Sequence, residues 1–183
     1  MNIRQFNQHI PKISKGVFID PSAVVIGHVA IGEHSSVWPQ AVVRGDMHCI
    51  SIGQRTNIQD GAILHVTHAG PYNPKGWPLV IGDDVTIGHR ALLHGCQVGS
   101  RVLIGNGAII MDGTIIEDDV IVGANTLVPS GKTLNSGYLY IGSPCKKSRP
   151  LSAKEKSFFI YSAANYVRLK DQHHKNISEQ KPL

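Results

Sequence analysis

The sequence predicts an all-β solenoid, a parallel β-helix of about six triangular coils, followed by a single α-helix. Three observations carry this. An aliphatic residue recurs every six positions over most of the chain. Many of these aliphatics are followed at once by glycine, as in Ile52-Gly53 and Ile81-Gly82. A small or branched residue sits four positions after each one. A run of helices would place apolar residues three and four apart, and a β-sandwich would alternate them between turn signals. A six-residue period rich in Val and Ile fits short flat strands wound into a coil.

The period can be followed rung by rung. It runs through Ile13, Ile19, Val25, Ile31, Val37 and Val43, then Ile52, Ile58 and Leu64, then Ile81, Ile87 and Leu93, and finally from Val98 to Val128. Three steps of six make one coil of 18 residues. The breaks fix the phase. Val43 to Ile52 carries three extra residues, Leu93 to Val98 lacks one, and Leu64 to Ile81 holds one step plus an insertion of 11. Face A of the prism then holds Ile13, Ile31, Ile52, Ile81, Val98 and Ile116. Face B holds Ile19, Val37, Ile58, Ile87, Ile104 and Val122. Face C holds Val25, Val43, Leu64, Leu93, Ile110 and Val128. Residues 1–150 form this domain, with a loop rich in Gly and Pro inserted near 66–78. Ser152-Ala153-Lys154-Glu155 reads as a capping box. Phe159, Ala163, Tyr166 and Leu169 follow at helical spacing, so a helix is expected over 151–172, from Ser152 to Gln172, packed on the prism. Residues 173–183 are expected to be a flexible tail.

Composition narrows the function classes. The chain has 183 residues, a formal net charge of +5 and a pI of about 9.2. Nine of its 18 Lys and Arg lie between Lys146 and Lys181, against three acids, so the charge belongs to a solvated C-terminal segment and not to a nucleic-acid-reading stripe. No apolar run is long enough to span a membrane, and the first residues lack a secretory h-region. A cytoplasmic protein with neither nucleic-acid nor membrane partners is expected. Cys49, Cys96 and Cys145 make no C-x-x-C pair, which argues against a cysteine zinc knuckle or a thioredoxin-type site.

The histidines fall on the repeat. His65 follows Leu64 and His94 follows Leu93, each one residue past a face C position, on adjacent coils. Parallel rungs lie about 4.8 Å apart, so both imidazoles are expected outward on one face, close enough to share a metal ion. His89 stands two residues after Ile87, at the corner leading from face B to face C. One chain would struggle to aim all three rings at one point. Two chains side by side could, with His89 donated by the neighbour, and three copies around a threefold axis would close the ring.

Arg44-Gly45-Asp46, Asn57-Ile58-Gln59-Asp60, His65, His89 and His94 resemble, in order and spacing, the motif of the γ-class carbonic anhydrases, hexapeptide-repeat proteins, and most of all their YrdA-like branch. The likeness covers nearly the whole chain. It implies a left-handed winding, a homotrimer, and a zinc ion held by His65, His89 and His94 between subunits. Iron or cobalt would accept the same imidazoles. Zinc with one open position lowers the pKa of its bound water to about 7, and that hydroxide would hydrate carbon dioxide to bicarbonate. The resemblance assigns Gln59 to the metal-bound water, on the outer side of face B near His89. It places Arg44, Asp46 and Asp60 in a charged network between subunits. Tyr161, with Asn165, would approach from the helix as a second catalytic candidate. The inserted loop has no acid to export a proton, which leaves His68 as the candidate shuttle. Two alternatives stand beside this reading. One is a hexapeptide acyltransferase or thioesterase acting on a coenzyme A thioester. The other is a catalytically silent, zinc-stapled trimeric scaffold.

Overall fold

Each six-residue step of the sequence becomes one short rung. The computed structural model describes residues 2–179, which form a parallel β-solenoid and one helix. Ile13, Ile31, Ile52, Ile81, Val98 and Ile116 stack in one column, partner upon partner. Ile19, Val37, Ile58, Ile87, Ile104 and Val122 form the second. Val25, Val43, Leu64, Leu93, Ile110 and Val128 form the third. The faces and their phase are those predicted. The solenoid is longer than about six coils, because Leu134 continues face A and Tyr140 continues face B. Asn2–Arg4 also pairs with the rung at Val24–Ile26. Strands Val24–Ile31 and Val42–Ile52 run round the corner between faces C and A, so hydrogen bonds join those two faces into one 12-stranded sheet. Face B forms a separate sheet of eight strands.

The side-chain logic of the repeat is visible in burial. From Ile19 on, the inward aliphatics are closed off from water, and so are the small or branched residues four positions on, from Ala23 through Ala62, Ala91 and Ala108 to Thr126. Burying each aliphatic side chain contributes about 1.5–3 kcal/mol, and the column makes that gain repeat at every rung. The glycine after the face A aliphatic has a steric cause. A Cβ on Gly53 would lie 2.5 Å from the carbonyl oxygen of Gly82 in the next coil. Only a residue without a side chain lets the corners stack that closely.

Both insertions interrupt the period without breaking the columns, and Val66 at the start of the second still packs in the core. The three extra residues after Val43 lengthen the strand Val42–Ile52, which shifts register opposite Gly27 and Val29 and carries Arg44 and Asp46. The 66–78 loop folds back on itself through antiparallel bridges between Thr67 and Trp77 and between Gly70 and Asn73.

The helix opens as expected. Ser152 and Glu155 cap each other's backbone N–H groups at 3.2 and 2.8 Å, and Arg149 grips Glu155 with two bonds of 2.7 and 2.8 Å. It lies across face B, with Phe159, Ser162 and Ala163 buried and the Ser162 hydroxyl 3.0 Å from that of Thr86. Its end differs from the expectation. The helix spans Ala153–Glu179, so residues 173–179 are helical and not a tail. His173 explains part of this, because its ring packs against Phe18 and Trp38 with centroids 6.0 and 5.0 Å away. Residues 180–183 of the expected tail lie outside the described residues. Among the described residues, no helix is long and apolar enough to cross a membrane.

Candidate metal centre

Face C brings His65 and His94 together. They are direct partners in adjacent parallel rungs, and their ring centroids are 5.0 Å apart. His65 Nδ1 and His94 Nε2 point at each other across 3.0 Å. The far nitrogen of each ring is held by a carboxylate: His65 Nε2 by Asp46 Oδ1 at 3.0 Å, and His94 Nδ1 by Asp112 Oδ1 at 2.7 Å. Thr67 donates its hydroxyl to the other oxygen of Asp112 at 2.9 Å. Arg44, in the same outward column as the two histidines, is ion-paired with Asp46.

Two imidazoles backed by carboxylates are donors that a divalent metal ion accepts, though they are not a full set within one chain. Metal-bound histidines nearly always offer their second ring nitrogen to a carboxylate or carbonyl, which fixes orientation and raises basicity. Two nitrogens at about 2.0–2.1 Å from a tetrahedral ion stand about 3.3 Å apart, close to the separation seen. Burial pushes the His65 imidazole below its usual pKa, against the pull of Asp46, with Arg44 and His94 adding to the depression. The depression favours the neutral ring, the form that keeps a lone pair for a cation. Burial works against the charge on Asp46, but hydrogen bonds from His65 and Arg44 outweigh it and hold that carboxyl below the usual range.

The third histidine stands elsewhere. His89 Nδ1 meets Asp60 Oδ2 at 3.0 Å, and both side chains are about half exposed. They line an open cleft at the corner after face B, with Asn106 and Asn125 on its wall. Asp60 sits one coil from His89 at the same rung position, as the phase predicted. No bond or ring contact joins His89 to His65 or His94. Among the described residues, no group of three or more His, Cys, Asp or Glu in one chain is placed to hold an ion.

Gln59 leaves face B outward but does not meet solvent. The helix covers it to 5 % exposure. Its Nε2 donates to Asn57 Oδ1 at 3.0 Å and to the Tyr166 hydroxyl at 2.8 Å. The tyrosine that reaches Gln59 within the chain is thus Tyr166, which the helical spacing had marked only as packing. Burial and the nearby charge of Asp60 push its phenol pKa up. Tyr161 is exposed and lies against Phe158. Asn165 accepts a bond from Arg168 at 3.3 Å. His68 is exposed on the inserted loop.

Sequence reasoning missed Asp112. Its signal was present, because it lies 18 residues after His94, one full coil on.

Comparison with known proteins identifies the family. A family model described as bacterial transferase hexapeptide (six repeats) matches residues 10–45, 78–110 and 95–130. Protein YrdA of Escherichia coli is 57% identical over 171 residues, covering 93% of each chain. A carbonic anhydrase of Geobacillus kaustophilus is 38% identical over 171 residues, covering 93% of this chain and 90% of the other. The chain belongs to the γ-carbonic-anhydrase-like hexapeptide-repeat family. This family member also superposes on the crystal structure of a hexapeptide transferase family protein from Anaplasma phagocytophilum. That match has a TM-score of 0.86 and 35% identity, and it covers 93% of this chain and 96% of that one.

Proposed function

We propose that this γ-carbonic-anhydrase-like chain forms a homotrimer that hydrates carbon dioxide reversibly to bicarbonate at a zinc site shared between subunits. The observation that carries the reading is the facing pair His65 Nδ1 and His94 Nε2, each ring pinned from behind by a carboxylate. His65 and His94 of one subunit would hold the ion, with the neighbour's copy of His89 as the third ligand. The outer surface of face C supports a neighbour there. Val42, Ile63, Leu92, Ile109 and Leu127 stack in one outward column, and Ile63 and Ile109 are 44% and 39% exposed in the single chain. A solvated sheet face would carry polar residues at those positions.

When bound, the zinc acts as a Lewis acid that makes a nucleophilic water available near neutral pH. The protein's own groups do the rest. Asp46 and Asp112 orient the two imidazoles. Both hydrogens of the Gln59 amide nitrogen are already used by Asn57 and Tyr166. That leaves Oε1 free to accept a hydrogen bond, so it would orient the reacting water without deprotonating it. His68, on the loop that starts just after His65, would carry the released proton to solvent. Tyr161 is assigned no step.

A second reading has its own observation. His89 and Asp60 form a hydrogen-bonded pair at an open cleft, an arrangement suited to general-base activation of a hydroxyl or amine toward an acyl-coenzyme A. The two readings separate in one experiment on the full-length protein, combining zinc content, oligomeric mass, stopped-flow hydration and acyl-CoA turnover. The proposal expects about one zinc per chain, a trimer, and hydration that a chelator removes and zinc restores. His89→Ala is expected to lose most of the zinc and the hydration while keeping the fold. Full zinc retention by that variant would refute the shared site. Zinc-independent acyl-CoA turnover would establish the second reading, and a zinc-loaded trimer inactive at every pH would leave a scaffold.

A further inference from the structure

The helix that runs past its expected end walls a second cavity, which shares no lining residue with the histidine pair on face C. Between the first coil and the last helical turns lies an apolar cleft of about 260 Å3, lined by Ile3, Ile13, Val17 and Ile177 among others. It adjoins a smaller space of about 180 Å3 that shares Val17, Phe18 and His174 with it and ends at Lys170 and Asp171. Lys170, His174 and Ile177 stand four and three residues apart, so one helix face presents a cation, an imidazole and an aliphatic in that order.

Lys170 makes this more than a packing gap. It is buried, with only 3% of its surface exposed. An ammonium has three donors. Among the described residues this one pairs only with Asp171, whose own side chain is 65% exposed. A buried cation with spare donors is an unfavourable arrangement that an added anion relieves. The apolar cleft next to it selects the remainder of that anion. Its volume lies just under the range of about 300–1,000 Å3 usual for drug-sized ligands, which suits a short aliphatic chain and not a membrane lipid.

We propose that this cleft binds a short-chain to medium-chain aliphatic monocarboxylate, with its tail among Ile3, Ile13, Val17 and Ile177 and its carboxylate between Lys170 and His174. Asp171 competes for the same ammonium, so its removal strengthens binding.

Calorimetric titration of the full-length protein with octanoate tests the site. Saturable binding is expected, weakening about three- to fourfold for each methylene removed as hexanoate, butanoate and acetate replace it. A carboxylate captured at the histidine pair would follow charge and not chain length, so the series separates the two sites. Lys170→Met is expected to weaken octanoate by about tenfold or more and to leave 1-octanol within about twofold. Asp171→Asn, at an exposed position that should not disturb folding, is expected to tighten octanoate about two- to fivefold. The proposal is overturned by no saturable octanoate binding in the millimolar range, or by equal affinity for acetate and octanoate. It is equally overturned if Asp171→Asn leaves octanoate affinity unchanged, a result that decides the matter even if Lys170→Met does not fold.

Discussion

At the scale of single residues, the candidate centre depends on what stands behind each imidazole. His94 is held at Nδ1 by Asp112, and Asp112 is steadied by Thr67. Replacing Asp112 with Asn keeps the shape but removes the charge that makes His94 a strong donor. Zinc affinity of Asp112→Asn, read by competition with a chromophoric chelator, should fall about 10- to 100-fold. An unchanged affinity would mean that His94 is not a ligand. The two histidines were legible in the sequence because each follows a face C aliphatic, and a coil of 18 with its insertion counted puts them in register. Asp46 was visible only as one member of a charged network with Arg44, and its bond to His65 was not foreseen. Gln59 was expected on the outer side of face B, but its burial under the helix was not foreseen, since a rung count says nothing of what a later helix will cover. Tyr166 was taken as one more apolar contact because spacing cannot tell a packed ring from a packed ring with a bonded hydroxyl.

At the scale of elements, the helix shows what local sequence signals specify. Its start was legible to the residue. Ser152 and Glu155 complete the capping box, and Glu155 also faces the positive end of the helix dipole. Its end was not, because no Gly or Pro follows Gln172 before Pro182 and the decisive contacts of His173 with Phe18 and Trp38 come from distant rungs. The cap carries a pH dependence. Hydrogen bonds from Arg149 and then from Ser152 draw the Glu155 carboxyl down to about 2, against about 4.3 in an unfolded chain. Its folded pKa is the lower one, so the unfolded state binds the proton first on acidification. The stabilisation is therefore complete above the unfolded pKa and is lost as pH falls from about 4.5 toward 2. Glu155→Gln should lower the melting temperature at pH 7. It should also flatten the dependence of melting temperature on pH in that acid window, with no change in slope above pH 5. A variant whose acid profile overlays the wild type would show that the cap does not couple to folding.

At the scale of the whole molecule, the six-residue period dictates nearly everything about the solenoid. It gave the three faces, their phase and both sites of insertion, because each rung uses the same inward aliphatic and the same small corner residue. The ends escaped it. The terminal rungs place Leu134, the larger Tyr140 and Ile3 in the columns without the surrounding regularity that makes a repeat recognisable. The outward side chains carry a second pattern that concerns assembly. On face C the column from Val42 to Leu127 is aliphatic at every step, and it runs beside the column of Arg44, His65 and His94. If a neighbouring subunit seats there, as the shared-site proposal requires, oligomerisation and metal binding share one surface. Ile109 is the informative position, since it is 39% exposed in the single chain and its outward side chain makes no part of the core. Ile109→Asp would place a carboxylate in the proposed interface once per subunit, while a solvated Asp on a lone solenoid costs about 0.5 kcal/mol or less. The expected result is a folded chain of monomer mass by light scattering that has lost its zinc although His65, His89 and His94 are all present. A zinc-loaded trimer would separate the apolar column from the metal centre, and the assembly would then have to be built on another face.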